Sequence, residues 1–188
     1  DDNNWGGGGS DHIKLWEVDV AWVPCGNSSI SGTPQQIPVS AFNSLFDNGS
    51  FSNLAQPSGG ISIDALQATI MNQAQFRRFT GHNSAVFNFV VDVDGSSTKQ
   101  AGIRWMEFRQ SGDGQPWSLF QEGTYVAADN KHAWNASLAM DDQGNIGMGY
   151  TGMSSDNSTN GNVRVSTFYT GRLSGDTAGT MTIAEEPI

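Results

Sequence analysis

Two short acidic turns are the first places in this sequence where chemistry could be done. Asp92-Val93-Asp94-Gly95-Ser96 and Asp141-Asp142-Gln143-Gly144-Asn145 each bring two carboxylates close together along the chain. Clustered hard oxygens suit Ca²⁺, so Asp92, Asp94, Asp141 and Asp142 are the candidate metal ligands and calcium is the candidate cofactor. Neither turn has the spacing of a calcium loop, and the same carboxylates could accept backbone N–H bonds and fix the turns.

Three cations stand in comparable places. Lys14, Arg104 and Arg164 each follow a branched aliphatic residue: Ile13, Ile103 and Val163. A guanidinium fork suits a carboxylate-bearing ligand, which makes these three candidate binding residues. The structural alternative is pairing with Glu17, Glu107 or a neighbouring strand, or covering apolar surface with their stems. Trp5 and Trp22 lie outside the repeated strands and could stack on sugar rings, so they join the candidate ligand-binding set, whereas Trp16, Trp105 and Trp117 suit packing between sheets. A glycosidase needs two carboxylates at suitable separation, or a tyrosine with an acid partner. Glu107, Glu122, Tyr125 and Tyr150 are available, no pair among them is singled out, and no catalytic residue is assigned. His12, His82 and His132 have no ligand spacing, and turn capping suits them better than zinc. Cys25, the one cysteine, can make no internal disulfide and has no Cys-His motif beside it.

The elements that would position these residues repeat. Ile103 to Phe108 matches Val163 to Phe168, sixty residues on (103 against 163), and also Ile13 to Val18. The same step carries Ser84 to Val90 onto Gly144 to Tyr150. A further strand follows each cationic one, at Pro34 to Phe42, Trp117 to Tyr125 and Met181 to Glu186. A fixed period somewhat above the ~40–45 residues of a common four-stranded blade predicts a β-propeller with long loops. From the first copy to the second the step is ninety (13 against 103), so roughly thirty residues are inserted.

The chain divides accordingly. Residues 1–10 form a flexible glycine-rich lead, 11–42 a partial blade, 43–73 the insertion, 74–126 one blade and 127–188 another. Within the insertion, Ile63 to Gln73 fits an innermost strand or a helix of two to three turns, and the strand is preferred. A net charge of −10, from nineteen acids against nine bases, argues against nucleic acid or an anionic membrane as partner. No apolar run approaches the ~20 residues that span a bilayer, and the first residues do not form a signal peptide, so the chain reads as a mature or excised piece.

The ordered segments Gly102 to Arg109, Gln121 to Tyr125, Ser137 to Asp141, Gly144 to Tyr150 and Tyr169 to Arg172 resemble the blade motifs of large secreted bacterial sialidase-like β-propeller proteins of Bacteroidetes type. The resemblance runs from about Asp11 to Ile188 and is densest from Phe76 onward. Met106 replaces the tyrosine usual after the strand tryptophan, and the acidic turns match the sialidase Asp-box weakly, with no tryptophan in place after Gly144. The resemblance implies a secreted or cell-surface bacterial protein, and it invites comparison of Arg104 and Arg164 with the arginines that hold a carboxylate in sialidases.

The expectation is therefore an all-β fold: a β-propeller segment of about two and a half four-stranded antiparallel blades, incomplete on its own. The chain opens on the third strand of one blade and closes on the fourth of another. That predicts apolar terminal faces, with the remaining blades of a parent polypeptide, or other chains, completing the ring. The expected function is a non-catalytic scaffold or recognition surface for glycan or protein. The alternative is a fragment of a sialidase-like glycoside hydrolase.

Overall fold

The structure, a computed structural model, describes Asp2 and residues 10–57, 59–95, 98–154 and 163–188. The chain begins with β1 (His12–Leu15), the small hairpin β2 (Val18–Asp19) and β3 (Ser29–Ile30), and β4 (Gln35–Pro38). β1 pairs antiparallel with β4, from His12 opposite Pro38 to Leu15 opposite Gln35, while β2 and β3 pair with each other.

Four longer strands follow: β5 (Ile70–Phe79), β6 (His82–Asp92), β7 (Ala101–Gln110) and β8 (Ser118–Tyr125). They form an antiparallel meander in chain order. Thr80-Gly81 closes the β5–β6 turn, where Gly81 has φ +90°, a conformation open to glycine and costly for side chains. A 3₁₀ turn, Ala128–Asn130, leads into a second meander of β9 (His132–Met140), β10 (Ile146–Met153), β11 (Ser166–Arg172) and β12 (Ile183–Pro187).

The central sheet β5–β8 is apolar on both faces, so it is covered on both. Phe87, Phe89, Val91, Met106 and Phe108 pack against Ile13 and Ile37 of the β1–β4 pair. On the opposite face Val86, Ile103 and Trp105 meet Ala136, Leu138, Ile146, Met148, Tyr150 and Phe168 of the second meander. The insertion seals one end, where Phe46, Leu54 and Ala65 join Met71, Val90, Ala101, Trp134 and Met153. The chain is thus an all-β propeller segment, with two four-stranded antiparallel blades and the two outer strands of a further blade in an open arc.

Several details differ from the sequence expectation. The innermost strand of the first full blade starts at Ile70, four residues before the boundary placed at residue 74, and residues 63–69 form neither a helix nor a strand beyond the Leu54–Ile63 bridge. Equivalent strands start 64 or 65 residues apart, at His82 and Ile146, Ala101 and Ser166, Ser118 and Ile183. The sixty-residue step therefore aligned residues that do not correspond: Arg164 precedes β11 and is not the counterpart of Arg104. The terminal faces mix apolar with small and polar groups. The outward side of the last blade carries Ser137, Ala139, Gly147, Gly149 and Thr151 together with three large exposed apolar side chains, Tyr169, Leu173 and Ile183, and the outward side of the first pair carries Lys14 and Gln36. Small and polar groups are cheap to leave in water.

The seam between the two full blades is closed by backbone. Gly123 in β8 lies so near the β11–β12 turn that an added Cβ would sit 1.9 Å from the Gly179 carbonyl oxygen, and Gly179 itself has φ +79°. The Gly179 N–H donates to Gln121 Oε1 at 3.1 Å. Gly123→Ala is expected to cost about 3 kcal/mol, because neither backbone can retreat without opening the seam. Urea unfolding of the variant against the parent chain measures it, and an unchanged midpoint would show the contact to be dispensable.

Candidate functional site

Arg104, the sequence's first candidate for holding a ligand, is occupied otherwise. It stands on the β7 face that looks toward the β1–β4 pair and is only 6% exposed. Its guanidinium pairs with Glu122 and donates to Thr124 Oγ1 at 3.0 Å and to the Ser40 carbonyl at 3.2 Å. Glu122 Oε1 in turn accepts the Ser40 N–H at 2.9 Å. The pair thus grips both backbone groups of Ser40, just beyond β4, and ties the half blade to the central sheet. Its two terminal nitrogens are thus engaged, and Nε is buried without a hydrogen-bond partner.

Two tyrosines and a carboxylate do meet, between the full blades. The Tyr125 and Tyr150 hydroxyl oxygens are 3.0 Å apart, and both groups donate to Glu185 Oε2, Tyr125 at 3.0 Å. Glu185 Oε1 lies 2.8 Å from Lys131 Nζ, which also sits 5.5 Å from the centre of the Phe168 ring. Tyr150 is 2% exposed. Burial first, and then the Glu185 charge, pushes the Tyr125 hydroxyl up to about 12; burial and the hydrogen bond with Glu185 push Tyr150 higher. Burial alone would raise Glu185, but the hydrogen bonds from Lys131, Tyr150 and Tyr125 outweigh it and hold the carboxyl below its ordinary range. A nucleophilic tyrosine needs the opposite shift and an approach from solvent. The quartet is a staple between blades. Sequence reasoning noted both tyrosines but missed Glu185 and Lys131, whose strand register alone brings them into reach.

The acidic turns behave as turns. Asp141 Oδ1 accepts the Gln143 and Asn145 N–H groups at 2.9 and 2.8 Å, and the Asn145 side chain and these backbone donors hold its carboxyl below the ordinary range. Asp142 is exposed beside it. Asp92, 7% exposed, uses Oδ1 to accept the N–H groups of Asp94 and Gln100 at 3.3 and 3.2 Å. Burial pushes Asp92 up, with the adjacent Asp94 carboxylate adding to it against those two donors. Among the described residues no group of three or more His, Cys, Asp or Glu side chains is placed to hold a metal ion. The three histidines do not gather: His82 stacks on Phe79 at 4.9 Å, and His132 Nδ1 accepts the Ala101 N–H at 3.2 Å.

A cleft of about 240 Å³ lies beside β1. Ile13, Trp16, Phe42, Ile70 and Phe89 supply apolar walls and Lys14 a cationic rim. β4 covers one edge of β1, and the cleft lies where the two inner strands of that blade would stand if it were built like its neighbours. Of the lining residues, Ala68 is left-handed at φ +59°. Such residues cost of order 1–3 kcal/mol each and cluster at sites that bind. Trp16 and Ile70 are each 49% exposed there, so of the nominated residues Lys14 alone lines the cleft. Trp22 stands apart on the β2–β3 hairpin at 90% exposure, Arg164 lies exposed ahead of β11, and Trp5 falls outside the described residues.

The staple sets a pH window. Glu185 is held low, so its contribution is present above its ordinary value of 4.5 and is lost as pH falls through the lower folded value. The tyrosines are held high, so theirs is present below 10.0 and is lost as pH rises toward about 12. Glu185→Gln should cost about 3 kcal/mol by leaving the Lys131 ammonium buried and unpaired, and Glu185→Leu with Lys131→Met should recover most of it. Thermal melts from pH 3 to 11 test both; a Glu185→Gln chain with parental stability across the range would remove the staple from the account. Comparison with models of known families, with curated proteins and with solved structures finds no match to this chain.

Proposed function

We propose that this chain is a non-catalytic β-propeller segment of a secreted or cell-surface bacterial protein, serving as a scaffold whose cleft recognises polypeptide. The observation that carries the reading is the cleft beside β1. An apolar trough suits an extended segment, which can seat alternate side chains on Ile70 and Phe89. Strands from further blades or from another chain have that chemistry. The resemblance to large secreted sialidase-like propellers supports export and a place within a ring. It supports hydrolysis less, because Tyr125, Tyr150 and Glu185 are spent on the inter-blade staple and the described cleft residues offer only Asp2 and Lys14 as ionisable groups.

Trp16 reports occupancy of the cleft through its emission. A synthetic peptide of alternating valine and threonine should change that emission saturably, and Ile70→Asp should weaken its binding by tenfold or more, about 1.4 kcal/mol. Sialylated and neutral glycans should leave the signal unchanged, and fluorogenic sialosides should not turn over. Turnover that disappears in Glu185→Gln would overturn the non-catalytic reading. Peptide binding indifferent to Ile70→Asp would overturn the assignment of the cleft.

A further inference from the structure

The turn end of the β5–β6 hairpin holds a histidine against the seam between the full blades. His82 opens β6 and stands opposite Phe79 of β5, across the Thr80-Gly81 turn. Their rings stack with centroids 4.9 Å apart and planes 14° from parallel. His82 Nε2 is buried and has no hydrogen-bond partner among the described residues. Phe79 in turn packs on the apolar cluster of the seam, as Val163 and Met181 do from the other side.

We propose that this hairpin end is an acid-sensitive latch on the seam, in which a proton taken up by His82 breaks its stack on Phe79 and loosens the grip of Phe79 on the neighbouring blade. A neutral imidazole can leave one nitrogen without a bond at modest cost. The imidazolium has an N–H at both nitrogens, and at Nε2 that donor would meet neither an acceptor nor water. Among the described residues the charges that act on the ring are Arg109 and Glu107, both on β7. Arg109 repels an imidazolium. Glu107 attracts it, yet this carboxylate is 1% exposed and already accepts the Ser84 hydroxyl at 2.8 Å and the Arg109 Nε–H at 2.6 Å on one oxygen, and the Gln121 amide at 2.6 Å on the other. The charges nearest the turn along the chain are committed too: Arg77 Nε donates to the Met140 carbonyl at 2.8 Å, and Arg78 pairs with Asp113 at 2.7 Å, which also accepts the Asn83 amide at 2.9 Å. A cation over a ring face gains less than an unmet buried donor on a charged group loses, so the stack does not retain the imidazolium. Burial first and then Arg109 push the His82 pKa below its ordinary value of 6.5, with Glu107 opposing them. The latch is therefore fully closed above 6.5 and opens as pH falls through the lower folded value. The loss begins at 6.5, whereas that of the Glu185 staple begins at 4.5, which separates the two in a titration.

Two measurements on the parent chain test this: the NMR titration of the His82 ring, and hydrogen exchange of residues 76–84 from pH 7.5 to 5, corrected for the intrinsic pH dependence of exchange. The ring should titrate below 6.5, and protection of the hairpin end should fall roughly threefold or more by pH 5 while residues 101–110 of β7 stay protected. His82→Phe keeps a ring on Phe79 without a titrating group and should hold its protection across the range. His12 and His132 remain in that variant, so a loss that persists in it belongs to them. A ring that titrates at or above 6.5, parental protection that is constant down to pH 5, or an equal loss in His82→Phe overturns the proposal. The first two outcomes need no variant, so they decide the matter even where His82→Phe folds poorly.

Discussion

The fold depends on a sheet that cannot face water on either side. β6 and β7 are buried along almost their whole length, with phenylalanines and methionine on one face and Val86, Ile103 and Trp105 on the other. At about 25 cal/mol per Å² of apolar surface, exposing either face would cost more than a domain of this size has to spare. Neighbours on both sides are therefore obligatory, and the half blade and the last blade are those neighbours. Each of those neighbours needs to be fully apolar only toward the centre.

Apolar burial sets the order of the layers but fixes their alignment loosely, and polar groups supply the rest. On one side Arg104 and Glu122 hold both backbone groups of Ser40. On the other, Tyr125 and Tyr150 donate to one oxygen of Glu185 and Lys131 pairs with the other, across the seam. Buried ion pairs add little net stability over apolar replacements, yet they penalise wrong registers strongly, because a slip leaves a charge without its partner. The ionisable groups that look most chemical in this chain thus serve alignment.

The fold class was legible because alternating strands separated by Gly, Asp and Ser turns leave few other solutions, and β6, β7 and β8 lie where that pattern puts them. The spacing was less legible. Ile103-Arg104 and Val163-Arg164 look alike as dipeptides, yet structural equivalence is set by pairing with β6 and β10, which places Arg104 level with a residue some five positions beyond Arg164. The roles of Glu185 and Lys131 were invisible, because they are far apart in sequence and their contact exists only once β12 pairs with β11. Lys14 was singled out by its place after a branched aliphatic residue, and Trp22 by its place outside the repeated strands. The uncharged run around Trp22 can be read from the sequence, whereas the apolar trough beside Lys14 brings together residues far apart along the chain, Ile13, Phe42, Ile70 and Phe89, which no local pattern encodes.

The contact between Gly123 and Gly179 bears on how such a chain can change over time. Two main chains touching without side chains form a lock that neither partner can alter alone, so drift at one position must wait for an accommodating shift in the other's loop. Neighbouring blades joined this way are poor candidates for shuffling, and a lineage that multiplied its blades would have to copy the two as a unit.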